Sequence, residues 1–100
     1  MTKEKLNSNK IIKKIEERSN KIKNFSVRKI ALFGSYAKNR QKKKSDIDIL
    51  VTFKKETFDN YVDLLLLLER IFKRKIDLVI EKNLRPEFSY VKKEARYARI

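Results

Sequence analysis

The residues best equipped for chemistry lie together in one stretch, Phe33 to Val51, which reads FGSYAKNRQKKKSDIDILV. A Gly34–Ser35 turn follows one apolar run, and Asp46 and Asp48 stand two apart at the start of the next. Residues two apart on a strand project from the same face, with Cα atoms roughly 6.5 Å apart. Two carboxylates so placed can share divalent ions that sit about 3.5–4 Å from each other. A third carboxylate, Asp77, lies in a later apolar run, where alternation can bring it to the same face. Gly34 permits positive φ and close backbone approach. A strand leaving through Gly-Ser into a helical turn would offer N–H groups to an anion, and Ser35 adds a hydroxyl donor. An acidic cluster beside an anion cradle is what metal-assisted transfer at phosphorus needs.

Each part alone has a plainer explanation. A bare DxD is most often a solvated strand end, because unpaired carboxylates resist burial. A lone Gly-Ser is usually an ordinary turn, and Asp77 by itself reads as a surface residue beside Arg74 or Lys75. Gly34, however, is the only glycine of the chain. Its place between an apolar strand and the acidic run favours the chemical reading.

The composition narrows the chemistry further. The chain has neither Cys nor His. Disulfides, thiolate sites and imidazole acid–base chemistry are therefore excluded. Any metal must be held by oxygen, which suits Mg²⁺ or Mn²⁺. A net charge of +14 favours an anionic partner such as nucleotide phosphates, nucleic acid or an acidic protein, although an AT-rich or thermophilic source would also enrich Lys. The loop Lys38 to Lys44 concentrates part of that charge in Lys38, Arg40, Lys42, Lys43 and Lys44. It could offset triphosphate charge or attract RNA weakly, but no aromatic is interleaved there to stack on bases. The start is polar, with no visible signal peptide, and the longest apolar run, Leu64 to Leu68, is far too short to span a membrane. A cytoplasmic protein without membrane association is expected. With 100 residues, one domain covering 1–100 is the expectation, with no room for a second.

The elements that must position these residues follow from periodicity. Ile11, Ile12, Ile15 and Ile22 predict one amphipathic helix from Ser8 to about Asn24. Val27 to Phe33 predicts a central strand, and Asp46 to Phe53 a second. In the latter, Ile47, Ile49 and Val51 share one face while Asp46, Asp48, Leu50 and Thr52 share the other. Thr57 or Asp59 can cap a helix through Tyr61, Leu64, Leu65, Leu68, Ile71 and Phe72. Its leucine run exceeds what a one-sided helix needs, so it is either wedged between sheet and helix or a partner interface. Lys75 to Ile80 predicts a third strand. Pro86 opens a last helix with the stripe Phe88, Val91, Ala95 and Ala98, off which Tyr90 and Tyr97 fall. The order α-β-β-α-β-α defines an α/β (α+β) protein, with a small mixed sheet of three or more strands packed on helices. Its β-α-β part should pair parallel strands.

The segments GSYA, SDIDILV and IDLVI, taken together, resemble the minimal nucleotidyltransferase family of the DNA polymerase beta-like nucleotidyltransferase superfamily. The resemblance runs from about Lys29 to Ala95 and implies the nucleotidyltransferase fold. It implies that Gly34 and Ser35, with Lys38, bind the nucleotide phosphates, that Asp46 and Asp48 bind metal, and that Asp77 completes the acidic set and helps deprotonate an attacking hydroxyl. The implied substrate is a nucleoside triphosphate, ATP foremost, with a pair of Mg²⁺ (or Mn²⁺) ions. Family members often carry Arg-Gly where this chain has Lys38 and Asn39; Lys keeps the charge but not bidentate binding, and Asn is the next best residue for a left-handed turn. The chain is also similar to the antitoxin half of HEPN/MNT toxin–antitoxin pairs. This implies a HEPN-domain partner, or another helical subunit, that receives AMP on a tyrosine; an oligomer is also open. A binding module that neutralises its partner by contact alone, and an RNA-directed nucleotidyltransferase, are the alternatives.

Overall fold

The computed structural model describes residues 6–42 and 45–100. Three apolar segments form the strands β1 (Val27–Phe33), β2 (Ile47–Phe53) and β3 (Ile76–Ile80). With a short β4 (Arg96–Tyr97) they make one sheet in the order β3-β2-β1-β4. β2 runs antiparallel to β1 and parallel to β3, and β4 is antiparallel to β1. The register sets Leu32 opposite Ile49 and Ile30 opposite Val51 on one side, and Ile49 opposite Leu78 on the other. Strand alternation gathers these residues on one face. Ile11, Ile15, Ile22, Leu64, Leu68 and Phe72 join them in a single buried cluster.

The helices over this face are α1 (Ser8–Glu17), α2 (Ser19–Lys23) and α4 (Phe58–Phe72). Asn7 caps α1 by accepting from the Lys10 amide at 2.9 Å, and Thr57 caps α4 by accepting from the Asn60 amide at 3.1 Å. Between β1 and β2 stands a single helical turn, α3 (Gly34–Ala37). Because α4 links β2 to β3, these two strands pair in parallel, as the β-α-β order requires. Among the described residues no helix is long and apolar enough to cross a membrane.

Two expectations need correction. The helix expected from Ser8 to Asn24 breaks at Arg18, whose amide bonds to the Ile15 carbonyl in a tighter, three-residue step. No Gly or Pro marks the break, and Ile22 stays fully buried beyond it. The C-terminal helix is shorter than its apolar stripe implied. Pro86 opens only a 3₁₀ turn (Pro86–Phe88), α5 spans Tyr90–Glu94, and the chain then extends into β4. The open edge of β1 is the cause. Ala31 pairs with Tyr97, Leu32 with Arg96, and the Ala98 amide reaches the Ile30 carbonyl at 3.0 Å. Covering an unpaired edge outweighs continuing a helix through Ala95 and Ala98.

The leucine run divides by face. Leu64 and Leu68 are fully buried, while Leu66 is 51% exposed. Leu68→Ala should therefore cost about 2–5 kcal/mol, and Leu66→Ala less than about 0.5 kcal/mol. Urea denaturation of the two variants checks this, and equal losses would contradict the packing.

Candidate active site

The alternation that buries Ile47 and Ile49 turns Asp48 to the opposite face of β2. There Asp48 faces Asp77 on β3 and, on its other side, Phe33, the last residue before Gly34. One cross-strand row thus brings together the Gly34 turn, Asp48 and Asp77. Asp46 is exposed just before β2 begins. Burial pushes the Asp48 carboxyl up to about 6; the negative charges of Asp77 and Asp46 and a side-chain hydrogen bond with Asp77 add to the shift.

Gly34 has φ +74°, and a Cβ placed on it would lie 2.1 Å from Asp48 Oδ2. The glycine is therefore required by the carboxylate packed against it. The turn is anchored below by Tyr36, which is buried. Beyond it Asn39 takes φ +53°, the left-handed conformation expected of an Asn in place of Gly. The Asn39 side-chain oxygen accepts from the Ser8 amide at 3.1 Å, fastening the loop to α1. Lys38 Nζ lies 2.9 Å from Glu94 Oε2, so α5 reaches the rim of the turn. Arg40 and Lys42 are exposed, and Lys43 and Lys44 lie outside the described residues.

Two residues near the acidic row escaped the sequence reading. Tyr61 stands among the apolar positions of α4, yet its hydroxyl donates to the Leu78 carbonyl at 2.6 Å. Burial and then the charge of Asp77 raise its pKa, which puts the phenol within the field of Asp77. Glu81 continues the Asp77–Val79 face by one more alternation, a signal that was available. It accepts from the Thr52 hydroxyl at 2.6 Å and from the Tyr97 hydroxyl at 3.3 Å, and pairs with Lys29 and Lys92. It thereby ties the C-terminal segment to β1 and β2. The Thr52 bond above all holds its pKa below the ordinary Glu value; burial opposes it, and Lys29, Lys92 and the Tyr97 bond add to the lowering. A lowered folded pKa gives stability that is full above the unfolded value and fades as pH falls through the folded one. Glu81→Gln should thus destabilise the protein at neutral pH and match the wild type in strong acid. Denaturation midpoints at both ends of that range test it, and a pH-independent difference would count against the clasp.

The donor set suits a hard divalent ion: carboxylate oxygens only, on a half-buried row where burial and then the neighbouring charges raise Asp48. Among the described residues no three acidic side chains already close around one point. Asp48 and Asp77 are in contact, and Asp46 stands at the edge.

A mixed sheet that sets a Gly-Ser turn against paired strand aspartates is the framework of a nucleotidyltransferase. Residues 9–95 match the family described as polymerase beta, nucleotidyltransferase, and the chain belongs to that family of enzymes. A Methanocaldococcus jannaschii protein described as "Putative protein adenylyltransferase MJ1379" is 43% identical over 72 residues, covering 69% of this chain and 70% of the relative. Among solved structures, "Structure of putative minimal nucleotidyltransferase" superposes with a TM-score of 0.79 at 25% identity, over 93% of this chain and 97% of the other. "Crystal structure of the toxin-antitoxin with AMP-PNP" superposes with a TM-score of 0.64 at 28% identity, over 92% of this chain and 72% of the other.

Proposed function

We propose that this protein is a divalent-metal-dependent nucleotidyltransferase that moves AMP from ATP to a tyrosine hydroxyl of a HEPN-domain partner, and so acts as an antitoxin. The observation that carries the reading is the packing of the Gly34 turn against Asp48, with Asp77 beside it. The relative described as a protein adenylyltransferase and the toxin–antitoxin neighbour with AMP-PNP support the substrate and the setting.

Asp46, Asp48 and Asp77 would hold the metal. Bound there, it would neutralise the triphosphate and stabilise the charge that develops on the entering and leaving oxygens. Gly34 brings the backbone of the turn close to the phosphates, and the Ser35 hydroxyl donates to a phosphate oxygen. Lys38 would exchange Glu94 for a phosphate oxygen. The Asp77 carboxylate takes the proton of the attacking hydroxyl. That oxygen bonds to the α-phosphorus, the bond from the α-phosphorus to the bridging oxygen breaks, and pyrophosphate leaves.

Incubation with α-³²P-ATP and Mg²⁺, together with the product of the neighbouring gene, tests the reading. Label on a tyrosine of that product, lost with EDTA, is the expected result. Label on RNA alone would transfer the assignment to the RNA-directed alternative, which no observation on the described residues favours.

A second reading rests on α4. Phe58 is 81% exposed and Leu66 51% exposed, an apolar surface that could neutralise a partner by contact alone. That reading requires Asp46→Ala and Asp48→Ala to keep full neutralisation in cells. Loss of neutralisation with binding retained would end it.

A further inference from the structure

Beside the acidic row is a cavity of about 340 Å³ that opens onto Gly34, Lys38 and Asp77 and is walled by the C-terminal segment. We propose that it holds the nucleobase of the triphosphate, with Phe88 and Tyr90 as a stacking platform for a purine. The proposal rests on the nucleotidyl-transfer reading above and names the residues that would select its substrate.

The volume is at the small end of the roughly 300–1,000 Å³ of ligand sites, enough for a nucleoside. The inner wall is apolar, from Phe33 and Val79 on the sheet and Leu84 and Val91 on the segment. At the mouth, Phe88 is 44% and Tyr90 52% exposed. Their ring centroids are 6.5 Å apart and the planes tilted by 55°. The rings do not lie flat on each other, so a ring face is left for a planar guest. The platform is held in place by the β4 pairing and the Glu81 clasp. A mobile tail could not keep two half-exposed aromatics beside the acidic row.

Continuity favours the base over the acceptor as occupant. The cavity shares Gly34 and Lys38 with the phosphate turn, so its guest would be joined to what that turn binds. An acceptor hydroxyl needs only to reach Asp77. Of the charged side chains on the lining, Asp77 belongs to the acidic row and Lys38 is the group that would turn to the phosphates, which leaves Glu94 beside the guest. Recognition is therefore mainly by stacking, which tolerates base identity and favours the larger purine ring.

The test compares ATP with inorganic tripolyphosphate, each with Mg²⁺, by calorimetry on wild type, Phe88→Ala, Tyr90→Ala, the double variant and Phe88→Trp. Both aromatics are half exposed, and thermal melts confirm that the variants fold. The double variant should bind ATP at least about 10-fold more weakly. Tripolyphosphate, which has no base, should bind it as it binds wild type, and Phe88→Trp should retain ATP. Unchanged ATP affinity in the double variant overturns the proposal while leaving nucleotidyl transfer in place. Intact ATP binding with lost labelling of the acceptor also overturns it, because the platform would then serve the acceptor. If wild type binds neither ATP nor tripolyphosphate, the nucleotidyl-transfer reading fails and the base site fails with it.

Discussion

Gly34→Ala is expected to lower kcat/KM for nucleotidyl transfer by at least about 100-fold, the scale of an ångström-sized misplacement at a reacting centre. The new methyl would lie 2.1 Å from Asp48 Oδ2, 3.0 Å from its Cγ and 3.2 Å from its Cβ. Neither the turn nor the carboxylate can stay where it is. The backbone adds its own cost, because φ +74° is disfavoured by about 1–2 kcal/mol once a Cβ is present. The two penalties can be separated. In an Asp48→Ala background the contact with the carboxylate disappears, and the backbone cost and the 3.2 Å approach to the retained Cβ remain. The stability loss from Gly34→Ala should therefore be smaller there than in wild type, which a double-mutant cycle of urea midpoints would show. A fully active Gly34→Ala enzyme, or a cycle with no coupling, would mean that Asp48 is not set by the turn.

How much of this arrangement was legible in the sequence depends on the range of the interaction. The three long strands and α4 were readable because period-2 and helical alternation are local, and because Thr57 is a good cap beside an apolar run. The pair Asp46 and Asp48 was readable for the same reason. The register was not. That Asp48 faces both Asp77 and the end of β1 depends on how three separate strands align. The role of Gly34 as the partner of Asp48 depends on the same alignment; the sequence shows freedom of φ and room for close backbone approach, but not which side chain makes that approach. β4 was missed because Arg96 and Tyr97 have no strand signal of their own; they extend because the edge of β1 is open. The break at Arg18 is a tertiary effect without a local breaker. Glu81 is different, since it follows Asp77 and Val79 at the same spacing of two and is legible by local alternation one residue beyond the strand. Tyr61 was hidden by being an aromatic in an apolar stripe, where its hydroxyl carries no periodic signal.

Asp48→Asn should move activity and metal-free stability in opposite directions. Transfer is expected to fall by at least about 10³-fold, the upper scale for a lost electrostatic group at a transition state. The fold should become more stable at neutral pH. The Asp48 carboxyl is raised from 3.8 to about 6 by burial, by Asp77 and by Asp46. Between those values the folded state binds more protons than the unfolded state, so stability falls as pH rises through the window and stays low above it. Asn has no charge to desolvate and can still donate to Asp77, so the variant should lose that slope. Melting temperatures of metal-free wild type and Asp48→Asn from pH 4 to 7 should converge at the acid end and separate towards neutrality, with the variant higher. Mg²⁺ should then raise the wild-type melting temperature more than that of the variant, because an ion bound only to the folded state stabilises it by mass action. Asp48→Asn less stable at pH 7, or equal Mg²⁺ effects on both, would show that the strain in the acidic row is not one a cation relieves. Burial first, and then the charges of Asp77 and Asp46, raise Asp48, so a cation held at this row, as proposed, would relieve a penalty that the metal-free fold carries.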